Sequence, residues 1–336
     1  MIEFLKKVGV GKNKWKDLSY EESLTAQREI LNKSVNDIQL GFFWGAMRLK
    51  HPTVDELSGF LDALKEETNF INTEELFPLD IAVNYDGKNR TIHILPSSIF
   101  IATGAGAKII GHGNENVPSK FGITYHQVLN AMGCEYPKNR ENILKALELS
   151  GFSFYHQKLY NPKLHLLLPK RRNFYLRTYL NTIEKIINPF KTTKIIIGVN
   201  HSNYISKYEE LAIYSGFKDV FVVKGLEGGI EPFIDRETKI FTNRAFSLTI
   251  LSKDRNNNVS ISNKNVSLKE NALINLSILK NEDNPFREWA ILTAGILIVA
   301  YGLTEDIKEA INVAEESLKS GVAYENFEIY KSITRK

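Results

Sequence analysis

Cysteine is nearly missing: Cys134 is the only one in 336 residues, so no internal disulfide can form and a reducing compartment is expected. Long hydrophobic runs are missing too. The longest late apolar stretch, AILTAGILIVAYGL at 290–303, is too short to span a bilayer and reads as a buried helix. The opening MIEFLKKVGVGKNKWKD is broken by charge before any apolar segment develops, unlike a secretory leader. There is no Walker A sequence, no internal repeat and no long low-complexity tract. An excess of one charge is also wanting, since 43 Lys and Arg face 39 Asp and Glu for a net charge of +4. That balance alone does not announce a polyanion binder. These absences leave a cytoplasmic protein with no membrane partner as the expectation.

Enough remains to build a large fold. With 43% hydrophobic residues the chain can bury a substantial core, in two domains or one large one. Its cations are unevenly placed. Residues 1–18 hold Lys6, Lys7, Lys12, Lys14 and Lys16 against Glu3 and Asp17, and PKRRNFYLR at 169–177 sets Lys170, Arg171, Arg172 and Arg177 among aromatics. Such clusters attract polyanions, although each alone also suits a solvated helix end.

Periodicity divides the chain. SYEESLTAQREILN (19–32) has Ser19 as an N-cap and Glu22 three residues on, and VNDIQLGFFWGAMRLK (35–50) and TVDELSGFLDALKEET (53–68) continue at helical spacing. Strands and helices then alternate. PLDIAVNY (78–85), AKIIGHG (107–113), KIIIGVN (194–200), DVFVVKG (219–225) and AFSLTILS (245–252) read as strands, whereas PSSIFIATGAG (96–106) and SKYEELAIYSGF (206–217) read as helices. This is an α/β pattern: a small helical N-terminal domain plus a large α/β domain with a mainly parallel central sheet flanked by helices. The expected bounds are 1–75, with part of 160–190 returning to it, and 76–336. KDRNNNVSISNKNVS (253–267) is expected to be a surface loop or hairpin.

Several motifs fail on context. GAGAKIIG (104–111) has dinucleotide-like glycines but ends a helix and leads into a strand, the reverse of that fingerprint. His156 and His165 have no cysteine or carboxylate at ligand spacing, so they read as structural histidines. Ser153 and Cys134 have no obvious base nearby. What remains is three glycine-containing loops at the carboxyl ends of strands, where open α/β sheets hold ligands: NYDGKNR (84–90), GHGNENVPSKFG (111–122) and GLEGGIEP (225–232).

GHGNENVPSKFG resembles the His-Gly-Asn-x-x-x-x-Ser-x-x-Gly signature of anthranilate phosphoribosyltransferases. The likeness covers nearly the whole chain, including the hinge-like segment 161–189 with Arg177-Thr178 and Asn188-Pro189. It implies the helical-plus-α/β fold and dimerisation through the helical domain. It also implies phosphoribosyl diphosphate with Mg²⁺ as the alternative cofactor set, Glu231 being the one surviving member of the magnesium-binding Asp-Glu pair. His112, Asn114, Lys120 and Arg171, the last matching the anthranilate-contacting arginine, are kept. The diphosphate loop is not: NYDGKNR stands for Gly-Thr-Gly-Gly-Asp, Ile230 for the magnesium Asp and Glu115 for an arginine.

These departures resemble a paralogue branch that lacks the transferase activity and binds nucleic acid. The resemblance implies a sequence-nonspecific nucleic-acid-binding homodimer with no cofactor, its basic groove at the former substrate site taking single-stranded or duplex nucleic acid. Lys12, Lys14, Lys88, Arg90, His112, Asn114, Lys120, Arg171, Arg172 and Arg177 are the expected phosphate contacts, with Phe174, Tyr175, Tyr85 or Trp15 available to stack on bases. The alternative is a phosphoribosyltransferase acting on an unidentified aromatic or nucleobase acceptor. A third, weaker reading is a catalytically silent scaffold for other proteins.

Overall fold

The structure is a computed structural model that describes residues 1–11, 14–233, 236–244, 248–250 and 266–335. Lys12 and most of the expected loop at 253–267 lie outside the described residues.

Local sequence signals start the helices. Ser19 and Glu22 form a reciprocal capping box on Tyr20–Leu31, and Thr53 and Glu56 do the same for Val54–Glu66. Each satisfies backbone N–H groups that the first turn leaves without partners. Asn36 caps Asp37–Lys50 through Gln39 N. These helices bury Phe43, Trp44, Met47 and Phe60 completely or nearly so. The segment from Gln157 to Ile186 returns to this core: Tyr179 stacks on Phe60 at 4.1 Å and donates a 2.7 Å hydrogen bond to Gln27, and Phe174 packs on Trp44.

The sheet contains β1 (Leu79–Ala82), β2 (Ile109–Gly113), β3 (Phe152–His156), β4 (Lys194–Gly198), β5 (Asp219–Val223), β6 (Thr238–Thr242) and β7 (Leu248–Ile250). Their order is β3-β2-β1-β4-β5-β6-β7. The first five are parallel; β6 and β7 add an antiparallel edge. Side chains alternate between two cores. Ile195, Ile197, Val220 and Val222 face the side shared with the N-terminal helices, while Ile196, Phe221 and Val223 face Leu95–Gly104 and Arg287–Tyr301. The last of these helices is buried from Trp289 to Ala300, as its apolar run predicts. β6 has no counterpart in the sequence reading, because only Thr238 and Ile240 of its five residues are buried and the apolar alternation is too short to stand out.

Among the described residues no helix is long and apolar enough to cross a membrane. The parallel strands run together, so the loops after β1, β2, β4 and β5 gather at one end of the sheet.

Candidate functional site

The loop after β1 closes on the loop after β5. Gly87 has φ +70°, and a Cβ there would lie 2.4 Å from Ile123 O, so glycine alone lets Lys88 pair with Ile123 through both backbone hydrogen bonds. Lys88 then points inward. Its ammonium lies 2.5 Å from Glu231 Oε1, with both side chains buried. A Cβ on Gly229 would fall 2.1 Å from Glu231 Oε2, so this position needs glycine to admit the carboxylate.

Glu227 completes the closure. It sits at φ 52°, a conformation costly for a non-glycine residue, and it accepts from the backbone N–H groups of Asn89, Arg90 and Thr91 at 3.1, 2.9 and 2.9 Å. The Thr91 hydroxyl adds a fourth bond at 2.9 Å. Burial pushes the Glu227 carboxyl upward, but the donors of Asn89 and Arg90 outweigh it and hold the group below its ordinary value. A row of backbone N–H groups converging on one anion is how phosphate is usually held, and here the anion is a side chain of the same protein. About 10 Å³ of space remains between Lys88, Glu227 and Glu231, room for roughly one water.

The hinge segment is closed in the same way. Arg171 is buried and donates from Nη1 and Nη2 to Glu184 at 2.7 and 3.0 Å. Behind it, His112 lies 3.2 Å from Asp80 through Nε2 and meets the Tyr85 hydroxyl through Nδ1, and that hydroxyl contacts Tyr160 at 2.9 Å. Asn114 is buried between Gln157 and His165. Lys120 donates to the carbonyls of Gly87 and Glu227, and burial lowers its pKa. Arg177 donates to Asp86.

Four expected phosphate contacts thus stand differently from the sequence reading. Lys88, His112, Asn114 and Arg171 are buried and hold protein partners, so they line no open groove. Lys120 and Arg177 are partly buried and engaged. Arg90, Arg172 and Lys14 are exposed. Tyr85 is buried in the hydrogen-bonded chain and Phe174 is partly buried against Trp44, so neither ring is free for a base; Trp15 is half-buried.

The fold corrects the reading of the histidines as lacking a carboxylate. Glu115 Oε2 lies 3.0 Å from His126 Nε2 and 2.9 Å from His156 Nε2. The spacing suits a metal at first sight. However, His156 Nδ1 accepts the Lys158 backbone N–H at 3.1 Å, which places the proton on Nε2. Glu115 therefore accepts from that ring, and its carboxyl is held well below the usual carboxylate range by the two histidines. This is a hydrogen-bonded clasp, and a metal would need the Nε2 lone pair that the tautomer removes. Mg²⁺ at Glu231 fares no better: Ile230 is apolar and fully buried, and the Lys88 ammonium occupies the side of Glu231 that a cation would take.

Of the rings expected to stack, Tyr175 is exposed, and the sequence reading missed its partner Phe121. Phe121 and Tyr175 are 37% and 60% exposed, their rings 5.6 Å apart and tilted by 37°. Both have left-handed backbone, at φ 50° and 67°. Arg172 lies at the same junction, donating to Asn116 O at 3.0 Å. The signal for Phe121 was its place beside Gly122 in the polar loop after His112. Glu184 and Glu227, which take Arg171 and the backbone donors of residues 89–91, carried no local signal.

Residues 2–68 match the helical bundle domain of a glycosyl transferase family, and residues 86–324 match the a/b domain of the same family. An uncharacterized protein of Aquifex aeolicus is 36% identical over 308 residues, covering 91% of this chain and 94% of that one. The anthranilate phosphoribosyltransferase of the same organism is 29% identical over 346 residues, covering 99% and 98%. Of solved structures, the anthranilate phosphoribosyltransferase of Thermus thermophilus aligns with a TM-score of 0.81 at 22% identity, covering 96% and 97%. That of Saccharomyces cerevisiae in complex with PRPP and Mg gives 0.84 at 20%, covering 99% and 97%. Two such relatives in one organism are consistent with a branch separate from the tryptophan-pathway enzymes. The chain belongs to this glycosyl transferase family and is a homologue of the anthranilate phosphoribosyltransferases.

Proposed function

We propose that the protein binds nucleic acid without sequence preference and does not transfer phosphoribosyl groups to anthranilate. Three charged side chains stand in for the ligands that the family resemblance assigns to this site. Glu227 takes the backbone donors of a diphosphate, Lys88 takes the place of a cation at Glu231, and Glu184 takes the arginine that would meet anthranilate. The observation that carries the polymer reading is the exposed Phe121–Tyr175 pair beside Arg172, with the Arg90 side chain also exposed. Bases stack on such rings, and cations at the backbone release condensed counterions.

A homodimer is part of the proposal. Ile38, Phe42 and Leu49 recur at helical spacing on Asp37–Lys50 and are exposed, Ile38 by 87% and Leu49 by 72%. Gly41 and Gly45 have open space above them, which allows a second helix to approach closely. A dimer brings two basic, aromatic surfaces onto one strand.

The second reading is transfer to another aromatic or nucleobase acceptor. It is favoured by the survival of His112, Asn114, Lys120, Arg171 and Glu231 around the sheet end, and it requires each buried one to leave its present partner. Titration of labelled single-stranded DNA, duplex DNA and RNA at several salt concentrations, alongside phosphoribosyl diphosphate with Mg²⁺ and anthranilate, separates the two. Binding that weakens linearly in log salt, with no product, is expected. Product formation, or no oligonucleotide binding at low salt, overturns the proposal.

A further inference from the structure

A cleft of about 440 Å³ lies beside the closed cradle, between the N-terminal helices and the carboxyl ends of β1 and β4. Its walls come from the end of Asp37–Lys50, residues 84–86, hinge residues 177–185 and the start of Ile205–Tyr214. Among the described residues Arg48, Arg177, Lys185 and Lys207 line it against one carboxylate, Asp86, which Arg177 already engages. Arg48 donates to Arg177 O and Lys207 to Pro52 O, so among the described residues each has a neutral carbonyl as its hydrogen-bond partner.

Lys185 is the anomaly. It is fully buried, donates to Asn84 Oδ1 at 3.1 Å and Gly198 O at 2.8 Å, and sits 4.3 Å above the Tyr208 ring. Among the described residues no carboxylate lies within ion-pair distance of it. A buried ammonium without an anion is costly unless something supplies one.

We propose that this cleft binds a nucleoside phosphomonoester, its phosphate drawn by Lys185 and the neighbouring cations and its nucleoside held among tyrosines and amides. The size is that of a small-ligand pocket and far exceeds what inorganic phosphate needs. Tyr204 and Tyr208 offer rings 6.2 Å apart, and the exposed Asn200 amide offers a donor and an acceptor for sugar and base edges, while Asn84 and Asn181 line the wall with their amides bonded to the protein. Burial brings the Lys185 pKa down to about 7, so a phosphate that recharges it takes up a proton. Asp86, Arg177, Glu184 and Lys120 face the same group from the loops around it and set that balance. The inference stands apart from the nucleic-acid reading, because the ligand chemistry is shared by a free nucleotide and by the phosphorylated 5′ end of a strand.

Calorimetry on the full chain with AMP and UMP tests it, with adenosine and inorganic phosphate as controls and one oligonucleotide in 5′-phosphorylated and unphosphorylated forms. The nucleotides are expected to bind more tightly than either control. Lys185→Met removes the buried charge at similar volume, and loss of a charge-assisted bond is expected to weaken binding about tenfold or more. Arg48→Gln, on the exposed rim, provides a second variant that leaves the core intact and is expected to weaken it less. Binding of free nucleotide upholds the site, as does a preference for the phosphorylated strand end, and the two identify the source. Adenosine binding as well as AMP, or Lys185→Met binding AMP with unchanged affinity, overturns the proposal. So does an absence of nucleotide binding together with indifference to the 5′ phosphate, even if the strand itself binds.

Discussion

Glu184 answers Arg171 with both carboxylate oxygens, at 2.7 and 3.0 Å, at the position that the family resemblance assigns to an anthranilate-contacting arginine. The pair is buried on both sides. Arg171 therefore contributes to folding, while its neighbour Arg172 is exposed and, among the described residues, bonded to a loop carbonyl, which leaves its charge open to a ligand.

The two arginines should separate cleanly. Arg171→Ala leaves the buried Glu184 without its guanidinium, against the Gln157 amide at 3.4 Å, and is expected to cost about 3–5 kcal/mol of stability. Arg172→Ala is expected to change stability by no more than about 0.5 kcal/mol while lowering the salt slope of nucleic-acid binding by about one unit. Urea unfolding and salt-dependent titration of each variant make the comparison. An Arg171 variant of wild-type stability would falsify the assignment of the pair.

Phe121→Ala and Tyr175→Ala are each expected to weaken single-stranded binding by about 1–3 kcal/mol, with a smaller effect on duplex, whose bases are already stacked. Because both residues sit at positive φ, glycine replacements remove the ring and relieve the backbone together. Fluorescence anisotropy with single-stranded and duplex probes reads the difference, and equal losses on both would count against stacking.

Glu227 gives a pH-dependent stability. Its folded pKa lies below the ordinary 4.5, so its contribution is present at neutral pH and is lost as pH falls from 4.5 through the folded value. Glu227→Gln is expected to be less stable by about 1.5–3 kcal/mol at pH 7, with the gap closing in acid. Melting curves from pH 7 downward check this, and a gap that widens in acid would refute it.

Phe42→Glu places a charge on the open face of Asp37–Lys50 and is expected to give a monomer without loss of fold, since that side chain is exposed. Light scattering at micromolar concentration reports the mass. A wild-type chain already monomeric there would remove the basis for the dimer.

What the sequence made legible was mostly local. The capping boxes at Ser19/Glu22 and Thr53/Glu56 span three residues, and the strand and helix periods repeat within a dozen. The three loops could be placed at one end of the sheet because parallel strands put them there. The internal partners could not. Thr91 and Glu227 are 136 positions apart, and Glu115 meets His156 across 41. Nothing in local spacing says that a charged residue will turn inward to another one, so a run such as NYDGKNR reads as a solvated tip until tertiary contacts bury its lysine.

The Lys88–Glu231 contact also bears on how readily the site could be re-engineered. With the Lys88 ammonium against Glu231, no single substitution is expected to restore the magnesium site that the family resemblance implies. Ile230→Asp adds a carboxylate to a place where Lys88 already neutralises Glu231, while Lys88→Ala strands Glu231 buried and uncompensated. Each substitution is expected to be harmful without the other, and Glu227 still holds the backbone donors after both. On this geometry a magnesium-bound diphosphate is expected to need changes at Lys88, Glu227 and Ile230 together.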